Sequence, residues 1–140
     1  AVDDGKWAER RIGPERVKTT YAFKSFLDAG VRLAVGTDWP VAPLDPRLTV
    51  HAAVTRATLD GNNPGGWVPG QKLTVAQVLE GYTLGAAYAA FQERERGTIT
   101  AGKLADLVLL DRDPFAVAPE TLRDLKVDLT ITGGRIVYER

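Results

Sequence analysis

The apolar residues in the first part of the chain follow a helical period. The stretch "GPERVKTTYAFKSFLDAG" has Pro14 in its first turn and Gly30 at its end, where helices favour these two residue types. It predicts one helix that packs against a sheet. The apolar face of this helix is formed by Ala22, Phe23, Phe26 and Leu27.

A change of period follows directly after Gly30. The segment Val31–Gly36 reads "VRLAVG", which is short, almost wholly apolar and rich in valine. This composition predicts a buried parallel strand. A helix, a short turn and a buried strand make half of a βαβ unit, so the pattern favours an α/β fold.

The middle of the chain alternates between helical and irregular sequence. Pro40, Pro43 and Pro46 argue against a regular helix or a central strand just after the predicted strand. Residues 47–58 have helical character, and residues 59–72 form a long loop rich in glycine, asparagine and proline. Long loops in compact domains are often functional, which makes this loop a candidate wall or lid.

The clearest helix start is Thr74. Thr74 and Gln77 have the spacing of a capping box, and the apolar face that follows predicts a helix to about Phe91. Small residues along it, Gly81 and Gly85 among them, would allow a close approach to a neighbouring element.

From Gly97 the sequence becomes strand-like, so we place a boundary between residues 96 and 97. The apolar runs predict strands within residues 97–114, 127–134 and 135–140, with a short helix or turn from Pro119. The pair Gly133-Gly134 suits a tight hairpin turn.

Composition narrows the function classes. The 140 residues include 18 basic and 18 acidic side chains, so nothing favours a nucleic-acid groove or an anionic membrane surface. There is no cysteine, which excludes disulfides and thiolate zinc sites. No apolar run reaches the length of a membrane span, and the first residues lack a signal-peptide core. We therefore expect a cytoplasmic protein.

Asp38 is the main candidate for chemistry. It follows the predicted strand directly, and catalytic residues of parallel α/β folds lie at the carboxyl ends of strands. A carboxylate there can hold a divalent metal or take a proton from a metal-bound water. The alternative is that Asp38 only caps the turn that follows it.

Two further residues are candidates for contact with a substrate. Trp39 either lines a pocket or packs at the mouth of a barrel. His51, the only histidine, either contacts a substrate or packs locally within its helix. A metal site needs several convergent ligands, and one histidine without cysteine supplies no multi-histidine cluster.

Four stretches together resemble the C-terminal part of a metal-dependent amidohydrolase, from the branch that includes N-substituted formamide deformylase-like proteins. In order along the chain they are "VRLAVGTDWPVAPLDPRLTVHAAVTR", "LTVAQVLEGYTLGAAYAAF", "GTITAGKLADLVLLDRDP" and "LTITGGRIVYER". The "GKLADLVLLD" run is the most specific of the motifs, and the resemblance covers essentially the whole chain.

The resemblance implies an α/β fold: the C-terminal fragment of a (β/α)8 metallo-hydrolase barrel plus the C-terminal strands of a small β-sandwich. Residues 1–96 would be the barrel part, with Val31–Thr37 as the eighth strand, and residues 97–140 the sandwich part. A complete barrel takes about 250 residues. The chain is therefore expected to be one part of an enzyme, inactive by itself.

The resemblance also implies the chemistry. Asp38 would be the general base and then the general acid in hydrolysis of a non-peptide C–N bond, and a metal ligand. The cofactor would be a divalent metal, zinc by expectation, with most ligands outside this chain, so that the fragment itself holds little or none. The expected partner is a small amide-type substrate, with no nucleic acid or membrane, and exposed barrel surface predicts self-association. The alternative is a non-catalytic structural or partner-binding module derived from an amidohydrolase.

Overall fold

A computed structural model describes residues 2–140, apart from the side chains of residues 2, 3, 4 and 6. Helices form half of the first hundred residues and a three-stranded sheet follows. The helices are α1 (Val2–Val17), α2 (Phe23–Asp28), α3 (Pro46–Thr55), α4 (Val75–Glu80) and α5 (Ala86–Ala89). The strands are β1 (Leu107–Leu110), β2 (Val127–Thr132) and β3 (Arg135–Glu139).

The predicted continuous helix from Pro14 to Gly30 is wrong in its middle. Gly13, with φ 79° and ψ 168°, breaks α1 just before Pro14, and α1 then ends at Val17. The hydroxyls of Thr19 and Thr20 donate to the carbonyl of Arg16, which is a local alternative to helical hydrogen bonding. The helix resumes as α2, and Gly30 ends it as predicted, with a φ of 79°.

A tertiary contact explains where that break falls. Tyr21 adopts a left-handed φ of 50°, which costs energy for a bulky residue. Its carbonyl accepts a hydrogen bond from Arg56 Nη1 at 3.3 Å, and its ring meets Trp67 edge-on with centroids 5.9 Å apart. These distant partners hold the turn, and neither is visible in the local sequence.

The prediction of a parallel strand at Val31–Gly36 is also wrong for this chain. Within residues 2–140 the segment pairs with no other strand; Val31 N donates to Phe26 O at 2.9 Å, and Val35 N donates to Gly81 O at 3.1 Å. Leu33 and Val35 are half-buried, whereas Arg32 and Ala34 are exposed. No neighbouring strands flank the segment in the described residues. It therefore alternates as an extended segment with only one covered face.

The helix that begins after Thr74 confirms the predicted capping box and its approximate length. The Thr74 hydroxyl accepts from Gln77 N at 3.2 Å, and the Gln77 side chain accepts from Thr74 N at 2.9 Å. Between α4 and α5 the helix widens into one π-helical stretch, Gly81–Gly85, here called the π-turn. The sequence period gave no indication of it.

The sheet confirms the predicted strands and hairpin. Its order is β1-β2-β3 and both pairs are antiparallel, with Val108 opposite Thr130 and Leu129 opposite Glu139. Gly133 and Gly134 connect β2 to β3 with φ values of 56° and 79°, as a two-residue hairpin turn requires. The segment from Pro119 forms a 3-10 helix, Pro119–Asp124.

One hydrophobic core joins the two predicted segments. Its buried members are Val50, Leu73, Val78, Leu122 and Leu125. The first three precede residue 97 and the last two follow it, so the 3-10 helix closes the core formed by α3 and α4. The division at residues 96 and 97 stays a prediction.

None of the helices described is both long and apolar enough to cross a membrane.

Candidate active site

Asp38 lies in a tight turn that follows the extended segment. Its φ of 57° is left-handed, a conformation that is uncommon for residues other than glycine, although aspartate tolerates it better than most. Val41 N donates to Asp38 O at 2.8 Å, and Trp39 N donates to Thr37 Oγ1 at 3.3 Å. The turn therefore holds the backbone of Asp38 from both sides.

The Asp38 side chain projects from this turn without a partner. It is exposed, and across the described part of the chain no hydrogen bond or ion pair involves its carboxylate. If Asp38 served only as a turn cap, its carboxylate would accept a backbone N–H, as that of Asp45 does from Arg47 N at 3.0 Å. Here the Thr37 hydroxyl takes that role, and the carboxylate stays free.

Large apolar residues follow Asp38 in the sequence, and their side chains are exposed. Trp39 is 64% exposed, Val41 79% and Leu44 67%. The Trp39-Pro40 peptide bond is cis. Both interpretations of Trp39, that it lines a pocket or that it packs at the mouth of a barrel, stay predictions.

His51 occupies a different environment. It lies on α3, is 3% exposed, and its Nδ1 atom has no hydrogen-bond partner among the described residues. Burial, reinforced by the positive charge of Arg123, holds the pKa of His51 below its usual value of 6.5, while Glu120 and Asp124 oppose the shift. The ring is therefore a neutral, buried group beside the 3-10 helix, and its contact with a substrate stays a prediction.

Asp38 and Trp39, which are consecutive in the sequence, are both exposed, whereas His51 is buried on α3. No hydrogen bond in residues 2–140 joins Asp38 to His51.

The described residues do not by themselves fit a metal ion. They contain no group of three or more histidine, cysteine, aspartate or glutamate side chains that would hold one. Asp38 offers one carboxylate, short of the three protein ligands of catalytic zinc sites. The role of Asp38 as a metal ligand therefore stays a prediction that needs ligands from elsewhere.

Sequence reasoning missed Arg56, the most buried charged side chain among those that the structure describes. It is 2% exposed, its Nε donates to Trp67 O at 2.9 Å, and its guanidinium lies 5.0 Å from the Trp67 ring centroid. Burial lowers its pKa. Arg56 thereby links the 59–72 loop to the turn at Tyr21. No motif near Arg56 in the sequence predicts this role.

Comparison with known proteins decides the family. A family model described as "Amidohydrolase family" matches residues 1–138. The chain belongs to the amidohydrolase family. The resemblance drawn from the sequence motifs is thereby confirmed.

Similar proteins extend this result. The Bacillus subtilis protein YtcJ is 36% identical over 99% of this chain and 26% of its own length. An N-substituted formamide deformylase of Arthrobacter pascens is 38% identical over 86% of this chain and 22% of its own length. The chain therefore spans about a quarter of the length of the curated relatives it matches.

A solved structure shows the fold relationship. A crystal structure of an amidohydrolase from Thermotoga maritima superposes with a TM-score of 0.64 at 22% identity, over 86% of this chain and 26% of that one. The chain thus has the fold of one part of an amidohydrolase. Its assignment to the end of a barrel and to a sandwich stays a prediction.

Proposed function

We propose that this chain is the part of a hydrolase that carries its acid/base carboxylate, Asp38. The bond cleaved would be a non-peptide C–N bond of the amide or formamide type. One observation carries the proposal: Asp38 is held in a left-handed turn at the end of the extended segment, and the Thr37 hydroxyl, not the Asp38 carboxylate, caps that turn. Unusual backbone conformations that the surroundings maintain cluster at functional sites.

The proposed chemistry of Asp38 has two steps. The carboxylate first accepts a proton from the attacking water as the water oxygen bonds to the carbonyl carbon. The same carboxyl group then donates that proton to the leaving nitrogen, so that the C–N bond breaks and a neutral amine departs. A positioned group of this kind contributes about 10²- to 10⁴-fold to the rate.

The divalent metal, zinc by expectation, belongs to the whole protein. A metal in such an enzyme polarises the carbonyl group and acidifies water. Because the described residues supply only Asp38, the remaining ligands would come from outside this chain. We expect the isolated chain to be inactive for the same reason.

The exposed side chains of Trp39, Val41 and Leu44 support a substrate with a hydrophobic substituent next to the scissile bond. The relative named as an N-substituted formamide deformylase agrees with this class. The cytoplasmic location remains a prediction.

The test compares D38N with the matched control D28N in the whole protein. Asp28 is also an exposed aspartate, paired only with Lys24. We expect D38N to lower kcat/KM for formanilide by about 10²- to 10⁴-fold and D28N to leave it unchanged. Equal activity of D38N and D28N would remove Asp38 from the chemistry.

A further inference from the structure

The π-turn is the element that touches the segment leading to Asp38. Within the helix, Gly81 O accepts from Ala86 N. The same carbonyl also accepts from Val35 N at 3.1 Å. In a regular α-helix each carbonyl points along the helix axis and accepts from the N–H four residues on. The widened turn lets Gly81 O accept from the extended segment as well.

The two glycines at the ends of the π-turn make this contact sterically possible. A Cβ atom on Gly85 would lie 2.0 Å from Leu33 O, and one on Gly81 would lie 2.5 Å from Val35 Cγ2. Real side chains do not approach so closely, so a residue with a Cβ atom at Gly85 must displace the extended segment or the helix, and one at Gly81 must move the Val35 side chain or the helix. The Gly85 contact involves backbone, which has no flexible end to move aside.

A third contact fixes the start of the same segment. The Arg32 guanidinium lies 4.2 Å from the centroid of the Tyr88 ring, a cation–π distance. Arg32 and Val35 thus each contact the helix, Leu33 O lies beside Gly85, and Asp38 follows three residues after Val35. At about 3.3 Å per extended residue, Asp38 lies within about 10 Å along the chain of the Val35 hydrogen bond.

We propose that Gly81 and Gly85 are positioning residues that set the place of Asp38, an inference that rests on the proposed function. The π-turn lets the helix backbone contact the extended segment directly. Asp38 follows that segment, so the contact fixes how far the Asp38 carboxylate lies from the helix. Single π-helical turns occur frequently at functional sites. A shift of about 1 Å in a catalytic group can cost about 10²-fold in rate.

The first experiment measures hydrolysis of formanilide by the whole protein carrying G85A, with A76S as the matched control. Ala76 is exposed on α4, just before the π-turn, and A76S likewise adds one heavy atom. We expect G85A to lower kcat by about tenfold to a hundredfold with KM nearly unchanged, and A76S to change neither. G85A is also made in the D38N background, where it should have no further effect if it acts through Asp38.

Second-site rescue separates positioning from loss of folding. Val35→Ala removes the Cγ2 atom that a Gly81→Ala side chain would meet, but it leaves Leu33 O in place. V35A should therefore restore much of the activity of G81A and none of that of G85A. Hydrogen exchange of the peptide spanning residues 31–38 gives a readout independent of activity: exchange should rise in G81A and G85A and stay unchanged in A76S.

Each result decides between the two proposals. If D38N is slow while G85A and G81A keep wild-type kcat, or exchange of residues 31–38 does not rise, the positioning role is wrong and the role of Asp38 stands. If G85A slows the D38N enzyme as much as the wild type, the glycines act on something other than Asp38, and the positioning role is again wrong. If D38N has wild-type activity, both proposals fail.

Discussion

Leu122 allows a quantitative test of the shared core. It is 1% exposed and lies in the 3-10 helix, where it completes a core whose other members include Val50 and Val78. L122A removes three buried carbon groups, worth about 0.8 kcal/mol each in transfer free energy. The cavity left behind raises the expected loss of unfolding free energy to about 3 kcal/mol, within the range for buried leucines.

The assay is urea unfolding of the chain, followed by far-UV circular dichroism and by tryptophan fluorescence. With a slope of about 2 kcal/mol per molar urea, the midpoint should fall by about 1.5 M. All three tryptophans precede residue 97, so a fluorescence transition shifted by L122A reports that the C-terminal segment stabilises the N-terminal one. The control is L44A, whose side chain is 67% exposed and should cost less than about 0.5 kcal/mol.

Two results would refute this reasoning. If L122A shifts the urea midpoint no more than L44A does, the 3-10 helix is not part of the core. If the midpoint followed by circular dichroism shifts while the midpoint followed by fluorescence does not, the two segments unfold separately.

Three further predictions follow from other parts of the structure. Burial lowers the pKa of His51, so as pH falls the unfolded chain protonates this imidazole before the folded chain does. The unfolding free energy should therefore decrease from pH 7.5 towards 5.5. H51L should flatten this dependence, and an unchanged slope would contradict the lowered pKa of His51. T74A should cost about 1 kcal/mol through loss of the capping box, whereas T98A in an exposed loop should cost little; equal losses would mean that the cap does not stabilise the helix. The exposed apolar residues Val31, Val108 and Ile136 predict self-association of the isolated chain, and light scattering that finds a monomer at high concentration would contradict it.

Local signals in the sequence predicted the elements that depend on local interactions. The capping box at Thr74 and the hairpin at Gly133-Gly134 need only neighbouring residues, and the structure confirms both. The start of α3 is also local, with Asp45 as N-cap and Pro46 at the first helical position, but the sequence analysis did not predict it.

The elements that sequence reasoning predicted wrongly depend on distant partners. The break at Tyr21 rests on Arg56 and Trp67, which lie 35 and 46 residues further along the chain. The expected strand at Val31–Gly36 needs neighbouring strands, and in this chain the π-turn covers it instead. Asp38 was identified from its position after an apolar run, but its free carboxylate and left-handed backbone emerge only from the structure.

The most direct test of the central claim, that Asp38 transfers a proton to the leaving nitrogen, varies the leaving group. In the whole protein, kcat/KM is measured for N-benzylformamide, whose amine is a poor leaving group, and for N-(4-nitrophenyl)formamide, whose amine departs more readily. If Asp38 is the acid, D38N should slow the first substrate at least about tenfold more than the second, because only the poor leaving group depends strongly on protonation. Equal slowing of both substrates, or no slowing of either, would contradict the account.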